Sequence, residues 1–121
     1  MSSLVEKQAR LVNAIHKANN LGNLKWHASE AVSDIFYTSV KDNLIYLSMI
    51  DENGTESVKV EIFVNGEFVE SFIDDDLAAS EIKPIGFDYW FQALTSLLDY
   101  AKRSASGVDK ILDELIKYLD G

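Results

Sequence analysis

The run Ile45-Tyr46-Leu47-Ser48-Met49-Ile50-Asp51-Glu52-Asn53-Gly54-Thr55-Glu56-Ser57-Val58-Lys59-Val60-Glu61-Ile62-Phe63-Val64-Asn65-Gly66-Glu67-Phe68-Val69 decides the fold. Apolar residues alternate with other residues along it, the period of a strand with two different faces. Asn-Gly interrupts the alternation twice. Both central residues of a type I′ turn need positive φ, which makes Asn-Gly the strongest short-range hairpin signal. A two-residue turn at Asn53-Gly54 pairs Met49 with Val58, Leu47 with Val60 and Ile45 with Ile62. A two-residue turn at Asn65-Gly66 pairs Ile62 with Val69 and Val58 with Ile73. The two registers agree. Together they gather Ile45, Leu47, Met49, Val58, Val60, Ile62, Val64, Val69 and Ile73 on one face, and a one-residue slip would scatter that set.

The opposite face then carries Leu44, Tyr46, Ser48, Ile50, Lys59, Glu61, Phe63, Phe68, Glu70 and Phe72. Upstream, Ile35–Val40 reads as a further strand, joined to the next through Lys41-Asp42-Asn43. A two-residue turn there puts Phe36, Thr38 and Val40 on the aliphatic face, whereas a three-residue turn puts Ile35, Tyr37 and Ser39 there. Leu24–Ala28, with Trp26, reads as a short strand opening the sheet. The connections between strands are short, so the sheet is an antiparallel meander of four to five strands.

Helical patterns flank the sheet. Leu4, Gln8, Leu11, Ile15 and Ala18 recur at four- and three-residue steps, widened by Val5 and Val12. Ser2 or Ser3 supplies the cap, and Gly22 suits the left-handed position after the helix. Asp74-Asp75-Asp76, Pro84 and Gly86 mark a loop or a single helical turn. From about Asp88 a second helix carries Phe87, Trp90, Phe91, Leu94, Leu97, Leu98 and Ala101 as its stripe. Ser104-Ala105-Ser106-Gly107 interrupts it, and Ser106 with Asp109 resembles a capping box. A last helix has Val108, Ile111, Leu112, Leu115, Ile116 and Leu119 on one face. The expected fold is a single α+β domain over residues 1–121: an N-terminal helix, the antiparallel meander, and two C-terminal helices packed on the sheet.

Composition narrows the chemistry. The chain has 121 residues and no Cys, which removes disulfides, thiolate metal sites and Cys nucleophiles and fits a cytoplasmic protein. The N-terminal segment has charges within its apolar pattern and does not read as a signal peptide. No stretch has the length of a membrane span. The net charge is −9, and residues 51–81 hold ten acids against Lys59 alone, so the whole excess sits in that segment. This sign opposes binding to nucleic-acid phosphates or anionic membranes and admits a basic protein partner.

No catalytic constellation emerges. His16 and His27 are isolated from each other and from any zinc-ligand spacing. Asp74-Asp75-Asp76 lacks the alternation of a calcium loop and reads as a solvated acidic loop. Glu61 and Glu70 become cross-strand neighbours in the register above, a like-charge pair with a catalytic reading and a plainer one, in which Lys59 offsets it. There is no nucleophile elbow and no phosphate-binding glycine loop. No cofactor or metal is expected, and nothing assigns an enzymatic activity.

The second face of the sheet is the positive feature. Tyr46, Phe63, Phe68, Glu70 and Phe72 form the candidate interface, aromatic at its centre and charged at its rim. Either the chain's own C-terminal helices cover it or another chain does, as a homodimer seam or a partner surface. An apolar pocket lined by Trp26, Trp90 and Phe91 is the alternative, which would make the chain a small-molecule-binding protein or an enzyme.

The segment Leu94-Thr95-Ser96-Leu97-Leu98-Asp99-Tyr100-Ala101-Lys102-Arg103-Ser104-Ala105-Ser106-Gly107-Val108-Asp109-Lys110-Ile111-Leu112-Asp113-Glu114-Leu115, with Leu24-Lys25-Trp26 ahead of the strands, resembles small uncharacterised α+β bacterial proteins of mobile DNA, of the phage and integron-cassette type. That resemblance implies an accessory role and brings no functional residues. The expectation is a non-catalytic protein-interaction module, homodimeric, with a basic protein partner.

Overall fold

In the computed structural model, which describes residues 3–121, the elements run α1 (Leu4–Asn20), β1 (Trp26–Ala28), β2 (Ile35–Val40), β3 (Asn43–Glu52), β4 (Thr55–Val64), β5 (Glu67–Ile73), α2 (Asp74–Leu77), α3 (Trp90–Ser106) and α4 (Val108–Asp120). The strands form one antiparallel meander in the order β1-β2-β3-β4-β5. The fold is the expected α+β arrangement, with five strands.

The β3–β4 register is the one the Asn53-Gly54 turn dictates: Met49 opposes Val58, Leu47 opposes Val60 and Ile45 opposes Ile62. Asn53 and Gly54 take φ of 55° and 83°, and Asn65 and Gly66 take 53° and 83°, as type I′ turns require. Between β2 and β3 the two-residue turn holds. Val40 opposes Asn43, and Phe36 and Thr38 face the core opposite Leu47 and Ile45.

β5 departs from the simple register. Phe63 opposes Phe68, but Ile62 opposes Glu70, so Val69 is an extra residue in a β-bulge. Beyond it every side chain of β5 changes face. Phe72, expected on the second face, opposes Val60 and is 3% exposed in the core. Val69, expected in the core, is exposed, and Ile73 moves to the second face opposite Lys59. Glu61 opposes Ser71, so Glu61 and Glu70 are not a pair, and Lys59 Nζ lies 3.8 Å from Glu61 Oε2 instead. The bulge buries the large Phe72 ring and brings Asp74 inward. Asp74 is 5% exposed and its Oδ1 accepts the Val58 N–H at 2.8 Å. Asp76 Oδ2 accepts the Ile73 N–H at 2.9 Å across the start of α2. The acidic triplet is thus not a solvated loop: two of its carboxylates are consumed in closing the sheet onto α2.

The helices cover one face. Leu47, Val58, Val60 and Phe72 from the sheet meet Ala9, Val12 and Ile15 of α1 and Ala93, Leu94 and Leu97 of α3 in one core. Met49 and Val64, at opposite ends of β3 and β4, belong to this face by register but stay exposed. Ser3 caps α1, its Oγ accepting the Glu6 N–H at 3.2 Å; Ser2 lies outside the described residues. Of the expected α1 set, Val12 and Ile15 are buried and Val5 and Leu11 pack against the core; Ala9 and Asn19 join them, and Leu4 is exposed. Asn19 Oδ1 accepts the Trp26 Nε1–H at 2.9 Å, tying α1 to β1. Tyr100 Oη donates to the Asn19 carbonyl at 3.2 Å and ties α3 to the same point.

Candidate interaction surface

The second face of the sheet is open, and a row of rings crosses it. His27 on β1 stacks beside Tyr37 on β2 at 5.3 Å between centroids, Tyr37 beside Tyr46 on β3 at 5.2 Å, Tyr46 against Phe63 on β4 at 5.1 Å, and Phe63 against Phe68 on β5 at 5.7 Å. Each strand contributes one ring. The register places His27 directly opposite Tyr37, Tyr37 opposite Tyr46, and Phe63 opposite Phe68, with Tyr46 to Phe63 a diagonal step. With neighbouring strands about 4.8 Å apart, the row spans roughly 20 Å. Tilted and edge-on geometries of this kind suit the ring quadrupoles, so the row is internally stabilised and rigid.

Rigidity does not remove it from water. Phe68 is 56% exposed and His27 is exposed, while Tyr37, Tyr46 and Phe63 are half-buried by one another. Glu61 stands opposite Tyr46 and pairs with Lys59, while Glu67, opposite Val64, belongs to the other face. Of the five expected interface residues, Tyr46, Phe63 and Phe68 are brought together. Phe72 is removed to the core and Glu70 to the other side of the bulge. His27 and Tyr37 were missing from the expectation. Their signal lay in the two-residue turn at Lys41-Asp42, which puts Tyr37 on this face once it is chosen over the three-residue alternative.

The alternative pocket does not assemble. Trp26 is 1% exposed in the core, hydrogen-bonded to Asn19. Trp90 and Phe91 line an open groove of about 380 Å³ with Asp75, Lys83, Pro84 and Tyr89, of which Trp26 is not part. A second groove of about 510 Å³ lies between α1 and the 85–87 loop. His16 borders it but is held at 2.9 Å to the Ala93 carbonyl and packs on Phe87. Among the described residues no three His, Asp or Glu side chains gather where a metal could sit, and no helix is long and apolar enough to cross a membrane.

α4 is the other uncovered surface. Its contacts are with α3, and none of its residues is buried. The capping box expected from Ser106 and Asp109 does not form. α3 runs through Ser106, whose Oγ donates to the Arg103 carbonyl, and Gly107 at φ 71° makes the elbow. Asp109 instead pairs with Arg103 at 3.1 Å. Compared with protein-family models, curated proteins and solved structures, the chain matches none.

Proposed function

We propose that the protein is a non-catalytic interaction module that binds another protein through the open aromatic face of its sheet. The observation that carries this reading is the five-ring row from His27 to Phe68, ordered by the sheet yet left in water. Tyr and Phe in a rigid array offer large contact area at small entropic cost, the composition of binding hot spots. A basic partner is favoured by the charge of the chain, −9 with ten acids against one base in residues 51–81, while beside the rings themselves stands Glu61, paired with Lys59. The same charge disfavours single-stranded nucleic acid, which also stacks on sheet aromatics but needs a basic rim. An accessory role, of the kind carried on mobile DNA, is compatible with such a module and rests on the sequence resemblance alone.

The test is site-specific photo-crosslinking in the native host. A photoreactive residue at Tyr37 or Phe68 is expected to trap one protein that the same residue at Lys102, on exposed α3, does not. With that protein purified, Phe68→Glu should weaken binding at least about tenfold, as loss of a hot-spot ring does, without altering the fold. Equal trapping from Lys102, or unchanged binding by a folded Phe68→Glu variant, would sink the proposal.

A further inference from the structure

The groove of about 380 Å³ lies between α2 and the start of α3, and its volume is that of a small-molecule site. Its walls are fixed from two sides. Gln92 Oε1 accepts the Asp88 and Tyr89 N–H groups at 3.3 Å each, which sets the chain as it enters α3. Asn13 on α1 grips the connecting segment, donating to the Lys83 carbonyl at 3.0 Å and accepting the Ile85 N–H at 3.1 Å.

The lining holds three acids, Asp74, Asp75 and Asp88, and one base, Lys83. Asp74 is the telling one. It is 5% exposed, and the Val58 N–H occupies only its Oδ1. Oδ2 has no hydrogen-bond partner among the described residues, yet it is not sealed from solvent. A buried carboxylate oxygen in that position is costly unless a donor reaches it, and the groove is the opening that Asp74 lines. Among the described residues Asp75 and Asp88 form no ion pair, and Lys83 neutralises none of the three acids. The N-terminus of α3 adds roughly half a positive charge, which leaves the lining acidic.

Charge, spacing and walls together choose the ligand. The three carboxylates do not gather where a metal could sit. Acids that line one groove without converging suit separate positive charges carried on one flexible stem. Trp90, Tyr89 and Phe91 supply rings to the same lining, and such rings take up hydrocarbon and attract ammonium groups. We infer that the groove binds an aliphatic diamine or polyamine. One ammonium donates to Asp74 Oδ2, a second meets Asp75 or Asp88, and the stem lies along the rings. This site is separate from the aromatic face of the sheet and does not depend on that face having a partner.

Calorimetric titration of the full chain with putrescine, cadaverine and spermidine at low ionic strength tests this. At least one of them should fill a single saturable site, at least about tenfold more tightly than butylamine, which lacks the second charge. Asp74→Asn keeps an oxygen for the Val58 N–H and removes the charge, so it should weaken binding at least about tenfold. Asp88→Asn should do the same from an exposed position where the fold is not at stake. Glu52→Gln, in the acid-rich hairpin, and Phe68→Ala, on the sheet face, should leave binding unchanged. The Trp90 indole N–H resonance should move on titration. Three results would each overturn the inference: no saturable binding by any of the three amines, butylamine binding as tightly as putrescine, or equal losses from Glu52→Gln and Asp88→Asn. The last would mean diffuse attraction to a chain of charge −9 in place of a site.

Discussion

Asn19 shows how much one side chain can coordinate. Its Oδ1 takes the Trp26 indole N–H while its carbonyl takes the Tyr100 hydroxyl, so α1, β1 and α3 meet at one residue. Its own Nδ2 is buried without a protein partner. Asn19→Ala would strand the Trp26 N–H and should cost about 1–3 kcal/mol in chemical denaturation. Asp74→Ala should cost a similar amount, about 1–3 kcal/mol, because it leaves the Val58 N–H unpaired in the core. The two phenylalanines of β5 make a sharper comparison. Phe72→Ala empties a core position and should cost about 3–5 kcal/mol. Phe68→Ala removes one cross-strand ring contact and should cost about 0.2–1 kcal/mol. Similar losses at the two positions would contradict the placement of the bulge.

At the scale of elements, the contrast is between the two C-terminal helices. α3 buries Ala93, Leu94, Leu97 and Ala101 against the sheet, whereas α4 buries nothing. Leu97→Ala should therefore lower the stability of the domain by about 2–5 kcal/mol, and Leu115→Ala should leave it within about 0.5 kcal/mol. The elbow between them rests on Gly107, whose φ of 71° is left-handed. A Cβ at Gly107 would meet no atom within 4 Å, so Gly107→Ala carries only the conformational penalty, about 1–2 kcal/mol. That penalty falls on the α3–α4 elbow. It should appear as loss of helical circular dichroism from α4, with the sheet unaffected.

For the whole molecule, charge bears on the proposed contact. With ten acids against one base in residues 51–81, association with a basic partner should slow as ionic strength rises, because screening removes the attraction. Partner titration across a salt series reads the slope. Association that strengthens with salt would mean that the surface has been assigned the wrong kind of partner.

The residues alone determined an antiparallel meander of four to five strands, because the two Asn-Gly turns demand positive φ and the apolar alternation of β3 against β4 tolerates no slip. They also determined which rings of β3 and β4 share a face. They did not determine the bulge at Val69. Alternation admits either Val69 and Ile73 or Phe72 inside, and the choice falls to whichever set fills the space beneath α2 while letting Asp74 reach Val58. On α1 periodicity placed Val12 and Ile15 inside but not Asn19, a polar residue buried with its hydrogen bond to Trp26. Nor could periodicity say that α3 covers the sheet and α4 does not. Both helices carry equally clear stripes, and a stripe specifies that a helix must be covered without specifying by what. Only the left-handed elbow at Gly107, and the single sheet face already filled by α1 and α3, leave α4 in water and the aromatic row open.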